Sequence, residues 1–238
     1  MTAWIDSPML GFDTETTGVD VTSDRIVTAA LVRRDGTTTT TVRTWLVDPG
    51  VEIPAGATAV HGITTEQARA DGMAPQVALA QIADELTAAA RRGEPVVAFN
   101  AGFDLGILEA ELARHSLPTM TQRLGGPLRA VVDPLVLDRH CDRYRRGKRR
   151  LGDLCDHYQV VTDGLHTADV DVVATLDVLQ AIVRCYPWLA DLTPEELHRH
   201  QVEAHRTWAM SFNAWRQRQG LTGPGAETCW PVREPALA

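Results

Sequence analysis

Leu10–Asp13 is a short apolar run that ends in polar residues, and Arg25–Arg33 and Thr38–Leu46 are rich in Val, Ile and Thr. Such runs, the last two joined by the turn signal Arg34-Asp35-Gly36-Thr37, predict three strands of an antiparallel meander. The period then changes. Ala74–Arg92 sets Val77, Ile82, Leu86 and several alanines at helical spacing. Pro95–Phe99 predicts a buried strand, Phe103–His115 a helix, Ala130–Asp133 a further strand and Pro134–Tyr144 a helix. Ala168–Tyr186 is a long helix with Val172, Leu176, Leu179 and Val183 on one face. Strands first, then alternating helices and strands, predict an α/β domain on a mixed sheet. Pro187 closes it. Thr193-Pro194-Glu195-Glu196 starts one more helix, running to about Gln219, and a tail rich in Gly and Pro follows.

The 238 residues suffice for one domain with a small appendage, and 44% hydrophobic with 23% charged residues excludes a disordered chain. No apolar run reaches the roughly 18 residues of a membrane span, and the N-terminus lacks a signal-peptide pattern. The cysteines Cys141, Cys155, Cys185 and Cys229 form neither a disulfide framework nor a zinc site, so a reduced cytoplasm is the expected location. A net charge of −8 argues against a protein that grips duplex DNA by charge alone. It does not argue against a metal-dependent nuclease, whose active site is itself acidic.

Candidate chemistry lies in acids at element ends. Asp13-Thr14-Glu15-Thr16-Thr17-Gly18 follows the first strand, where residues i and i+2 share a side, so Asp13 and Glu15 can converge. Two carboxylates placed together repel unless a cation or a shared proton compensates, and oxygen-only ligands suit Mg²⁺ or Mn²⁺. Alone, this pair would read as a solvated turn. A second acid, Asp104, opens the helix after the Pro95–Phe99 strand, and Asp169 and Asp171 open the long helix. Helical periodicity does not separate Asp169 from Asp171. Three acidic clusters at element ends can meet at one sheet edge.

The stretches GFDTETTG (residues 11–18) and AFNAGFDLGIL (98–108), with His166 five residues before Asp171, resemble the motifs of the DEDDh (DnaQ-like) 3′→5′ exonucleases. That family has a ribonuclease H-like fold and includes the proofreading subunit of bacterial DNA polymerase III. Val60-His61-Gly62-Ile63-Thr64 is similar to its substrate loop, and residues 147–155 to the stretch before its third motif. The resemblance spans residues 8–186 and leaves 187–238 as a helical extension and tail. It implies a mixed five-stranded sheet flanked by helices, with Asp13, Glu15, Asp104 and Asp171 holding two Mg²⁺ (or Mn²⁺) ions and Asp13 bridging them. By family spacing it chooses Asp171 over Asp169, and it makes His166 the general base, releasing nucleoside 5′-monophosphates from 3′ ends.

The same resemblance places Thr14, Gly18, Val19, His61, Asn100 and Phe103 at the terminal nucleotide, with packing an equal alternative for Phe103. Arg143–Arg150 reads RYRRGKRR, and its density in an acidic protein makes Arg145, Arg146, Lys148, Arg149 and Arg150 candidates for the nucleic-acid backbone. Expected partners are single-stranded or frayed DNA 3′ ends, with a polymerase as a candidate and no membrane. An RNA or oligoribonucleotide exonuclease of the same fold is the near alternative, and a non-catalytic scaffold the far one. A haloacid-dehalogenase-like phosphatase fails because its motif needs Asp where Glu15 stands, and because the only lysine, Lys148, lies too close to Gly152-Asp153. Trp208, Phe212 and Trp215 form one stripe on the last helix, read as packing against the domain or as a partner surface.

Overall fold

The computed structural model describes residues 3–162, 164 and 167–232. In chain order its elements are β1 (Pro8–Thr16), β2 (Ile26–Asp35), β3 (Thr38–Leu46), α1 (Ala55–His61), α2 (Thr65–Asp71) and α3 (Pro75–Arg91). There follow β4 (Val96–Val97), α4 (Ala101–Arg114), α5 (Met120–Leu124), β5 (Val131–Val132), α6 (Pro134–Cys141), α7 (Leu151–Tyr158), α8 (Ala168–Cys185) and α9 (Pro194–Arg218). The strands form one five-stranded sheet in the order β3-β2-β1-β4-β5. The meander β1–β3 is antiparallel, and β4 and β5 join parallel to β1. This is the expected mixed sheet.

Strand alternation divides the core in two. Leu10 and Phe12 of β1 pack with Leu79, Ile82 and Leu86 of α3 and Leu108 of α4. Met9 faces the other way, into a cluster with Val97, Val132, Val172, Leu176 and Leu179. Gly11 points to that same second face, and a methyl at its Cα would collide with Val172 and lie 3.2 Å from Leu176 Cδ1. Only glycine lets α8 lie this close to β1, and that approach carries Asp171 towards Asp13.

Four short helices, α1, α2, α5 and α7, were not foreseen from periodicity. Seven or so residues carry too few apolar repeats to register, although Thr64 with Gln67 and Thr119 with Gln122 form capping boxes that announce α2 and α5. Helix α6 stops at Cys141 instead of running to Tyr144, because the chain turns there so that Arg145 and Arg149 fold back onto buried Asp138.

The extension is built into the sheet. Edge strand β5 would present bare backbone groups, and α9 covers them with side chains. His198 Nδ1 accepts from Val131 N–H at 3.3 Å, Gln201 Oε1 accepts from Asp133 N–H at 2.8 Å, and Gln201 Nε2 donates to the Val131 carbonyl at 3.1 Å. The tail then returns along α9 and buries Trp230 in the first core cluster. The cap Thr193 and Glu196, with Pro194 behind it, starts α9 as read from the sequence.

Candidate active site

Asp13 and Glu15 lie near the C-terminal end of β1, and Asp171 sits in the first turn of α8. One carboxylate oxygen from each falls within 4.8 Å of the others. All three are half-buried. Asp13 has a pKa held well above the carboxylate range, first by burial and then by the charges of Asp104, Asp171 and Glu15. Burial and Asp171 push Glu15 up to about 7. Oxygen donors this close and mutually repelling fit a hard divalent cation that would relieve the repulsion.

Asp104, on the first turn of α4, is buried, and it stands beside Asp13 rather than inside the triad. Its Oδ1 accepts from Thr14 N–H at 3.0 Å and Thr14 Oγ1 at 2.7 Å. Burial raises its pKa to about 7 against those bonds. Thr14 is itself buried, so both its donors orient Asp104. Asp169 turns elsewhere: it lines a small hollow with Val42, Val173 and Asp177, whereas Asp171 borders a cleft of about 710 Å³ together with Arg150, Asp153 and Asp156. The tertiary structure thus separates two acids that periodicity did not. His166 lies outside the described residues.

The frame behind these acids was not foreseen. Asp133, fully buried after β5, accepts from Asn100 N–H at 3.1 Å, Ala101 N–H at 3.0 Å and Leu135 N–H at 2.9 Å. It ties the start of α4, and with it Asp104, to the start of α6, while Gln201 holds Asp133's own N–H. Asn100 adopts a left-handed conformation at φ 61°, one that Asn tolerates better than most residues. The only sequence hint was Asp133-Pro134, an N-cap followed by Pro at the first helical position.

The expected substrate positions fall around this edge. His61 ends α1 and is buried; its Nδ1 accepts from Ile63 N–H at 3.1 Å, and burial lowers its pKa. Nε2 is buried and makes no full hydrogen bond to the described residues. Gly18 packs against the Asp24 carboxylate, which accepts from Thr17 Oγ1 and Asp20 N–H and so shapes the loop after β1. Val19, at the tip of that loop, is 90% exposed. Phe103 is half-buried against the first core cluster on the same helical turn as Asp104.

The basic run divides. Arg145 and Arg149 are not free for phosphates: both bond Asp138 Oδ2, whose other oxygen accepts from Tyr158 Oη at 2.9 Å. A fully buried carboxylate must be paired, and these two cations do it. Arg146, Lys148 and Arg150 remain exposed, and Arg150 reaches the cleft at Asp171.

A strand-edge cluster of acids on a mixed five-stranded sheet defines a protein of the ribonuclease H-like class. Residues 10–179 match the RNase T family model, described as exonuclease. The chain belongs to this exonuclease family. It is 32% identical over 165 residues to the PolC-type DNA polymerase III of Streptococcus thermophilus, and 30% over 174 residues to that of Streptococcus pyogenes. Those matches cover 69% and 73% of this chain but 10% and 11% of the relatives, so the chain spans about a tenth of their length. Exonuclease I of E. coli bound to a dT13 oligonucleotide shares the fold at a TM-score of 0.64 and 23% identity, over 78% of this chain and 43% of that one. Exonuclease I of Methylocaldum szegediense does so at 0.63 and 22%, over 88% and 45%.

Proposed function

We propose that the protein hydrolyses single-stranded or frayed DNA from the 3′ end, releasing nucleoside 5′-monophosphates with the help of two Mg²⁺ or Mn²⁺ ions. The observation that carries this reading is the cluster of Asp13, Glu15 and Asp171 within 4.8 Å. Asp104 completes the ligand set. Asp13 would be the central ligand, because the carboxylates of Asp104, Asp171 and Glu15 all lie close enough for their charges to raise its pKa. Two such ions, when bound, stabilise the entering and leaving oxygens of an in-line displacement.

The chain's own groups do the rest. His166 takes a proton from the attacking water as its oxygen bonds the terminal phosphorus, and the bond to the neighbouring nucleotide's 3′ oxygen breaks. Thr14 keeps Asp104 aimed. Val19, His61, Asn100 and Phe103 surround the terminal nucleotide, with Gly18 in the same loop. Arg146, Lys148 and Arg150 meet the backbone leading to it. Single-stranded DNA is favoured because the solved Exonuclease I structures hold dT13 and dA16. The PolC-type relatives make a polymerase the proposed partner. Unpaired Cys141, Cys155, Cys185 and Cys229 fit a reducing cytoplasm, and among the described residues no helix is long and apolar enough to cross a membrane.

The test is a DNA oligonucleotide labelled at its 5′ end, incubated with Mg²⁺, Mn²⁺ or EDTA beside a matched RNA and the Asp13→Ala protein. The expected result is a metal-dependent ladder shortening from the 3′ end, faster on DNA and absent in the variant. Faster loss of RNA would transfer the activity to ribonucleotides. An oligonucleotide that is bound but intact with both metals would leave a scaffold.

A further inference from the structure

Beyond the catalytic edge, the C-terminal half of α9 carries a row of aromatic rings with no role in the core. Trp208 and Phe212 stack with centroids 5.3 Å apart and planes 13° from parallel; Phe212 and Trp215 follow at 5.7 Å and 27°. The Arg139 guanidinium lies 3.9 Å from the Trp208 ring and closes the inner end of the row. The outer end is open, with Trp215 45% exposed. Rings at these separations admit nothing between them, so the row acts as a brace that holds the outer indole face upright.

Two independent observations say what covers it. The first is charge. In a chain of net charge −8, no acid occurs between Glu203 and Glu227, while His205, Arg206, Arg216 and Arg218 do. A polyanion fits this surface better than an average protein partner would. The second is direction. His198 meets Val131 and Gln201 meets Asp133, so α9 runs parallel to β5 and leaves the sheet at the edge where Asp13 lies. From Gln201 the helix carries Trp215 about 20 Å further outward at 1.5 Å per residue. A strand whose 3′ end is held at Asp13 therefore starts from the edge past which Trp215 projects.

We infer that the outer half of α9 is a second contact for single-stranded nucleic acid, several nucleotides upstream of the 3′ end. A base stacks on Trp215, and exposed Arg218 faces the adjoining phosphates, while Arg216 is held by the Thr222 carbonyl at 2.8 Å and steadies the stack. This rests on the proposed exonuclease reading for its strand polarity, though not for the binding itself. Base stacking on an aromatic side chain is tolerant of sequence, which suits an enzyme that degrades any sequence. The contact gives longer strands tighter binding without touching the chemistry.

The test compares the full-length protein with Trp215→Ala, Trp215→Phe and Arg218→Glu. Oligothymidylate longer than about 16 nucleotides, enough to span such a groove, and a dinucleotide are the probes. Binding of the long oligomer is measured in EDTA by fluorescence anisotropy, and KM and kcat of both are measured with Mn²⁺. Trp215→Ala should weaken long-strand binding about fivefold or more, and raise its KM in step. Trp215→Phe should recover most of the loss. Arg218→Glu, at an exposed position that cannot upset folding, should weaken the long strand and flatten its salt dependence. The dinucleotide's kcat and KM should not move.

Equal long-strand binding by the wild type and both weakening variants would overturn the inference. So would a change in sedimentation with no change in binding, which would make the face a protein contact. If no oligomer is cleaved yet the EDTA binding differences hold, the second contact stands and the exonuclease reading falls.

Discussion

Glu15→Gln should make the metal-free protein more stable while removing its response to metal. Glu15 is half-buried, and an oxygen of each of Asp13 and Asp171 lies within 4.8 Å of its own. At that distance a like-charged pair costs about 3.5 kcal/mol with an effective dielectric constant of 20. Burial first, and the Asp171 charge second, raise its pKa from 4.5 to about 7, which is about 3 kcal/mol against the ionised form. Because Glu15 still touches solvent, screening reduces the usable part to about 1–2 kcal/mol. For a chain of this length that is about 2–8 °C in Tm.

The sign follows from linkage. A folded-state pKa above the unfolded one means that the contribution is fully favourable below about pH 4.5 and is lost as pH rises through about 7. The advantage of the glutamine should therefore be small near pH 5 and complete near pH 8. The assay is thermal unfolding at both pH values, in EDTA and in excess Mn²⁺. Wild type should gain more from Mn²⁺ at the higher pH, since binding must displace protons, and the variant should gain little at either. A variant that melts below wild type in EDTA near pH 8 would refute the idea that these acids are held together against their repulsion.

Further outcomes follow from the frame around the site. Gly11→Val should wedge α8 off β1, costing about 1–3 kcal/mol in urea unfolding and lowering Mn²⁺ affinity by drawing Asp171 away. Asp138→Ala should cost about 3–5 kcal/mol, because it leaves Arg145 and Arg149 without their buried partner; a variant as stable as wild type would show that the pairing is dispensable. His198 is half-buried, with its pKa lowered by desolvation and its Nδ1 accepting from Val131 N–H, so it makes that bond to the β5 edge only while neutral. That contribution is present above its unfolded value of 6.5 and is lost as pH falls, so His198→Gln should flatten the acid limb of stability below about pH 6.5.

The sequence by itself determined the strands in chain order, the mixed character of the sheet and the acids at the element ends. Each of those signals is local: alternating β-branched residues for the meander, i and i+2 spacing for Asp13 and Glu15, and helix starts for Asp104 and for the pair Asp169 and Asp171. The short helices were illegible because one or two turns give no period to read, and their caps are the sole signal. Tertiary structure decided the rest. It turned Asp171 into the cluster and Asp169 away, a choice made by how closely Gly11 lets α8 settle. It tied Arg145 and Arg149 to Asp138, since a buried charge demands partners that a basic run does not advertise. It also joined α9 to the edge of β5 through Gln201, a contact between residues 70 apart in the chain. Pairings of that kind depend on which surfaces remain uncovered once the sheet has formed, and no local pattern carries that information.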